Sequence, residues 1–113
     1  MTKPPTLKTF FGDGERTFLL PAPLIEELER RCNAGIGVIA KRLFAGQFSH
    51  ADILQTIRLA LIGGGEKPQV ADSLVQVYAA DQPISEVLPL AVSILSTAFF
   101  GKADPPDTDK VQE

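Results

Sequence analysis

The chain has no tryptophan, and cysteine and histidine occur once each, as Cys32 and His50. One cysteine cannot form a disulfide within the chain, and one cysteine with one histidine cannot build a Cys/His zinc site. These scarcities exclude the disulfide-rich secreted class of small domains. We expect no cofactor, no metal site and a cytoplasmic location.

Positive charge is also in short supply, with 11 Lys and Arg against 14 Asp and Glu and a net charge of -3. Without an overall positive field, we expect neither nucleic acid nor an anionic membrane surface as a partner. No stretch reaches the ~18 uninterrupted apolar residues of a membrane span, and Met1–Pro5 does not lead into an apolar signal core. We therefore expect a protein that is neither exported nor membrane-spanning.

The chain contains enough apolar residues to form one core, since 44% of its 113 residues are hydrophobic and 22% are charged. That balance is typical of a globular domain. We predict a single domain over residues 1–101. The stretch 102–113 is polar and contains Pro105-Pro106, which predicts a flexible C-terminal tail.

The N-terminal part predicts a β-hairpin over about residues 6–20. Two β-branched and aromatic stretches, Thr6–Phe11 and Arg16–Leu20, flank Gly12-Asp13-Gly14, whose glycines can adopt the positive φ of a tight turn. A lone hairpin is marginally stable in water, so it must pack against the rest of the chain.

From about residue 23 to residue 100 the pattern predicts about five helices. Apolar residues recur at helical spacing, and each segment is bounded by residues that start or stop helices. These boundaries are Pro21 and Pro23, Gly35 to Gly37, Gly46, the N-cap Ser49 with Asp52 three residues later, Gly63 to Gly65, and Pro83. The fold class predicted is mainly α with a short N-terminal β-hairpin, packed as one small domain.

The last predicted helix, 84–100, is apolar on nearly every side. Such a helix lies in the centre of a core or shares a face with a partner, and a chain this short offers little other helix to cover it. We predict a protein-binding surface there, formed by Val92, Leu95, Phe99 and Phe100. For the two phenylalanines, a place in the core and a role as partner anchors are equally consistent with the sequence.

Basic residues on the first two predicted helices suggest a second contribution to partner binding. Arg30, Arg31, Lys41 and Arg42 could gather into a small patch that meets an acidic partner helix, and we select Arg31 and Arg42 as its members.

No motif predicts catalysis. The Gly63–Pro68 stretch lacks the spacing and the hydroxyl residue of a phosphate-binding Walker loop, so we interpret it as a helix linker. His50 has Asp52 as its one sequence-local partner for acid–base chemistry, and histidine at a helix start is common without such a role. Cys32 follows the apolar register of its helix and is interpreted as a buried structural thiol. We expect a protein without enzymatic activity.

Several of these features follow one another along the chain in an order that is typical of a known family. They are a strand leading into Leu24–Glu29, the Gly35-Ile36-Gly37 turn, Leu43–Gly46 followed by the Ser49–Ile53 helix start, and Leu59–Gly65. In order and spacing, the chain from about residue 18 to residue 100 resembles the tail assembly chaperone family of phages and phage-derived gene transfer agents.

The resemblance implies a cytoplasmic helper that binds the long, helical tape measure protein during tail assembly and has no catalytic activity. Chaperones of this kind shield apolar helix of the client. The alternative is a small structural subunit of a phage-like tail or head–tail particle whose apolar helix pairs with another copy. The sequence leaves both the client-bound and the homo-oligomeric form open.

Overall fold

Two antiparallel strands followed by five helices make up the computed structural model, which describes residues 5–101. In chain order they are β1 (Leu7–Phe11), β2 (Gly14–Phe18), α1 (Ala22–Cys32), α2 (Ile36–Ala45), α3 (His50–Gly63), α4 (Pro68–Tyr78) and α5 (Ile84–Phe100). They pack around one core, which confirms the predicted fold class. The predicted tail over 102–113 lies outside the described residues, as do residues 1–4.

The predicted hairpin is confirmed, and its register runs from Leu7 opposite Phe18 to Phe11 opposite Gly14. Gly12, the first residue of the two-residue turn, has a φ of 69°, which glycine adopts without strain. Phe11 and Phe18 are both buried, with their rings edge to face at 6.1 Å between centroids. One face of the hairpin thus belongs to the core.

The best-marked helix start in the sequence forms as predicted. The Ser49 hydroxyl oxygen accepts from the Asp52 N–H at 3.0 Å, and the Asp52 carboxylate accepts from the Ser49 N–H at 2.9 Å. This reciprocal pair satisfies two backbone donors that a helix N-terminus otherwise leaves unpaired. At the end of the preceding helix, Gly46 adopts a φ of 75°, as its predicted stop role requires.

The core is centred on α3, which packs against α1, α4, α5 and β2. Half of its residues are buried, including both polar and apolar side chains: Asp52, Ile53, Thr56, Ile57, Leu59, Ala60 and Leu61. The Thr56 hydroxyl donates to the Asp52 carbonyl at 2.6 Å, which satisfies it inside the core.

The end of α3 is also where the hairpin docks. The Leu19 N–H donates to the Ala60 carbonyl at 3.0 Å, and Arg16 pairs with Glu66 at 2.9 Å. A Cβ atom on Gly63 would overlap the Leu19 carbonyl, and one on Gly64 would overlap the Thr17 carbonyl. These glycines end the helix, as predicted, and they also let the strand backbone approach it closely.

Most of the apolar surface of α5 is used by the core. Val87, Ala91, Ile94 and Leu95 are buried, and the helix continues through Pro89. Exposed large apolar side chains remain at its two ends. Within residues 5–101, no helix combines the length and the apolar character needed to cross a membrane.

Candidate protein-binding site

An apolar groove lies between α2 and the C-terminal end of α5. We call it the α2–α5 groove. It has a volume of about 410 Å³, and its lining residues are Gly37, Ala40, Lys41, Phe44, Ala45, Phe99 and Phe100. Lys41 carries the one charge among these residues.

The α2 side of the groove follows from residue spacing. Gly37, Ala40, Lys41, Phe44 and Ala45 recur at intervals of three and four, which places them on one face of the helix. The glycine and the alanines are small, so they leave a depression along the helix instead of filling it. Small side chains flanked by a large one give a surface into which another helix can pack.

The α5 side of the groove is aromatic and open to solvent. Phe99 is 46% exposed and Phe100 is 77% exposed, and Phe44 on the α2 side is 47% exposed. The rings of Phe99 and Phe100 lie 5.9 Å apart between centroids, so they form one continuous apolar wall. Clustered exposed aromatic side chains are typical of the anchors of protein interfaces.

The four apolar residues predicted for binding do not lie together on the surface. Phe99 and Phe100 line the groove, whereas Leu95 is fully buried in the core and Val92 is partly buried against it. Val92, Leu95 and Phe99 are three and four residues apart and so lie on one face of α5, but the core covers that face at Leu95 and leaves Phe99, at the end of the helix, about half exposed. Leu95 therefore contributes to stability and is not part of the exposed surface.

The three arginines of the predicted basic patch form salt bridges with acidic residues of the same chain. Arg30 and Arg31 both contact Glu27, at 2.6 and 2.7 Å, and the two guanidinium groups hold the pKa of that carboxyl below its usual range, Arg31 having the larger effect. Arg42 contacts the buried Asp52 carboxylate at 2.8 Å. Of the four basic residues considered, the structure brings Lys41 to the groove.

Sequence reasoning missed the α2 side of the groove. Leu43 and Phe44 are adjacent in sequence, so their side chains point about 100° apart around the helix axis. Leu43 is buried and Phe44 is exposed. The sequence did contain an indication of this surface, because α2 has more apolar residues than fit on one face of a helix.

Three residues that could in principle take part in catalysis, His50, Asp52 and Cys32, are interpreted from the sequence as structural. Both carboxylate oxygens of Asp52 accept hydrogen bonds, one from the Ser49 N–H and the other from Arg42, and His50 is exposed beside them. Cys32 is half-buried, and burial, followed by the negative charge of Asp52, raises the pKa of its thiol to about 11. At neutral pH this cysteine is a protonated, weakly nucleophilic thiol.

In the part of the chain between residues 5 and 101, no group of three or more His, Cys, Asp or Glu side chains is placed to hold a metal ion. A family model described as "Phage tail tube protein, GTA-gp10" matches residues 5–101, which span both strands and all five helices. Neither the curated proteins nor the solved structures gave a match.

Proposed function

We propose that this chain, which belongs to the phage tail family described as "Phage tail tube protein, GTA-gp10", is a tail assembly chaperone of the producing cell's cytoplasm. In this role it binds an apolar helix of the tape measure protein in the α2–α5 groove and shields that helix until the tail is assembled.

The observation that carries the proposal is the exposed aromatic wall of the groove. Most of the Phe100 side chain is exposed to solvent, and it lies next to Phe99 and across the groove from Phe44. Covering these rings removes apolar area from water, which drives association at roughly 25 cal/mol per Å² before the costs of binding. The resemblance to tail assembly chaperones supplies the class of client, a long helical protein.

The shape and charge of the groove favour a helical client segment. An amphipathic helix places apolar residues at positions i, i+3, i+4 and i+7 into a groove between two helices. Lys41 at the rim favours a client helix that carries an acidic side chain beside its apolar stripe. Arg31 and Arg42, which have partners within the chain, contribute less to this attraction.

The test is co-expression of the chain with the other tail proteins of its gene cluster, affinity capture of the chain, and mass spectrometry of the proteins recovered. We expect recovery of a long helical tail protein. Substituting Phe44→Ser or Phe100→Ser should weaken that capture by about tenfold or more, since both side chains are exposed and line the groove in which the client helix is proposed to bind.

Val77→Ser is the matched control, because Val77 is 63% exposed on α4, away from the residues that line the groove. It should leave capture unchanged, and all three variants should keep the helical circular dichroism of the parent chain. Equal capture by the groove variants and the parent, or capture of no tail protein while the tape measure protein is soluble and present, would contradict the proposal.

A structural subunit of the tail is the second candidate, and the family's description as a tail tube protein favours it. The two candidates differ in where the chain is found after assembly. A structural subunit is present in purified particles in many copies, whereas a chaperone is absent or minor there. Quantitative mass spectrometry of purified particles distinguishes them.

A further inference from the structure

One edge of the hairpin is open. The outer edge of β2 is covered by the end of α3, through the hydrogen bond from the Leu19 N–H to the Ala60 carbonyl and the close approach of the Thr17 carbonyl to Gly64. Within residues 5–101, no strand pairs with β1 on the side away from β2.

The hairpin register determines which backbone groups lie on that open edge. A two-residue turn makes Phe11 and Gly14 a hydrogen-bonded pair, and such pairs alternate with non-bonded ones along the strands. The N–H and C=O groups of Lys8 and Phe10 therefore point away from β2. The Thr17 carbonyl agrees with this assignment, because Thr17 lies opposite Lys8 and its carbonyl points outward to Gly64.

These four outward groups have no backbone partner among the described residues. Beside them run two adjoining hollows of about 420 and 230 Å³, both lined by Phe10 and Leu90. Five α5 residues line the hollows, namely Glu86, Val87, Pro89, Leu90 and Ser93. Glu86, Leu90 and Ser93 are four and three residues apart, so they lie on one face of the helix. Space for an added strand thus lies next to β1, with α5 beside it.

From this edge we infer that the chain forms a two-fold symmetric dimer in which β1 pairs antiparallel with β1 of a second copy. The two-fold axis passes between Thr9 and the partner's Thr9. Lys8 then lies opposite the partner's Phe10, and the two hairpins become one four-stranded sheet. This contact is separate from the α2–α5 groove and does not depend on the proposed chaperone function.

The edge is complementary to itself in this register. Pairing Lys8 with the partner's Phe10, and Phe10 with the partner's Lys8, satisfies all the outward groups of both strands through four hydrogen bonds. A register with Lys8 opposite the partner's Lys8 puts Phe10 opposite the partner's Thr6, outside β1, and sets two ammonium groups side by side. Like charges directly opposite each other on paired strands are destabilising.

The side chains on the exposed face favour the same register. Phe10, which is 70% exposed, lies opposite Glu15 in the hairpin. In the dimer, each row across the sheet reads Glu15, Phe10 and the partner's Lys8. The ammonium group then lies next to an aromatic ring with a carboxylate on its far side, which is a favourable setting for a cation.

The test is disulfide trapping in the full chain carrying Cys32→Ser. In the inferred register Thr9 faces the partner's Thr9 in a non-bonded pair, whose Cβ atoms lie about 4.5–5.5 Å apart. Thr9→Cys should therefore give a disulfide-linked dimer on mild oxidation. Lys8→Cys is the matched control, because diagonal positions lie about 7–8 Å apart and exceed the reach of a disulfide.

Sedimentation velocity of the unmodified chain gives an independent readout. We expect a concentration-dependent dimer below about 1 mM, and Lys8→Pro should abolish it, because proline removes an outward N–H that the hairpin does not use. Lys8→Thr keeps that N–H and should still dimerise. Circular dichroism of each variant checks that the helices remain folded.

Three results would overturn the inference. They are a chain that stays monomeric up to about 1 mM, a dimer in which Lys8→Cys crosslinks as readily as Thr9→Cys, and a dimer that Lys8→Pro leaves intact. If the chain stays monomeric and Thr9→Cys instead crosslinks to a tail protein, the edge belongs to an extended client segment and not to a second copy.

Discussion

Alanine at Gly63 is expected to destabilise the fold, although alanine is the better helix former. Relieving glycine's backbone entropy in a helix contributes about 0.5–1 kcal/mol. Against this, the added Cβ overlaps the Leu19 carbonyl oxygen and comes within 2.9 Å of the Leu19 carbonyl carbon and the Pro21 Cδ. These atoms belong to backbone or to a proline ring, so they cannot rotate away.

The hairpin must therefore move off α3. Overpacking of this kind costs about 1–3 kcal/mol, and weakening the nearby hydrogen bond from Leu19 to Ala60 adds about 1 kcal/mol. The net expectation is a loss of about 1–3.5 kcal/mol in the free energy of unfolding. For a domain of this size, that loss lowers the Tm by roughly 10 °C.

Urea unfolding followed by circular dichroism measures the change. Gly37→Ala is the control, because Gly37 is also helical and a Cβ there has no neighbour within 4 Å. That substitution should stabilise the chain by about 0.5–1 kcal/mol, so the difference between the two variants isolates the contact with the strand. If Gly63→Ala and Gly37→Ala raise stability alike, the close approach of strand and helix is wrong.

Two further predictions concern single side chains. Ser49→Ala should lower the free energy of unfolding, measured in urea, by about 1 kcal/mol, because it removes a helix cap. Asp52→Ala should lower it by about 3 kcal/mol, because it also leaves Arg42 without its buried partner. Equal losses for the two variants would show that the ion pair contributes nothing to stability. Since burial raises the pKa of the Cys32 thiol to about 11, roughly one thiol in a thousand is ionised at pH 8. Reaction with a disulfide reagent should be slow in the native chain and should accelerate in urea or above pH ~10; fast native reaction at neutral pH would contradict this.

Local signals in the sequence were sufficient for the elements of this fold. The Ser49 cap, the Gly46 stop and the Gly12 turn each depend on the conformational preference of one residue type, which operates without tertiary context. The hairpin and all five helices form close to the predicted positions, although α2 begins at Ile36, inside the boundary predicted at Gly35 to Gly37.

The groove could not be predicted in the same way, because it depends on which helix covers which face. Leu95 and Phe99 both belong to the apolar pattern of α5, yet the core buries the first and leaves the second about half exposed. Arg42 was interpreted as a partner contact, but a buried carboxylate ten residues later binds it. Pairings of this kind depend on the packing of α2 against α3, and helical periodicity does not specify it.

The docking of the hairpin on the end of α3 has a consequence for the order in which the chain is made. Arg16 and Glu66, which join the two elements, are 50 residues apart. At a translation rate of about 5–20 residues per second, the hairpin leaves the ribosome several seconds before its docking surface exists. During that interval the rings of Phe11 and Phe18, which are buried in the folded chain, have no core to enter, so the nascent hairpin exposes aromatic surface on which aggregation or general chaperones can act.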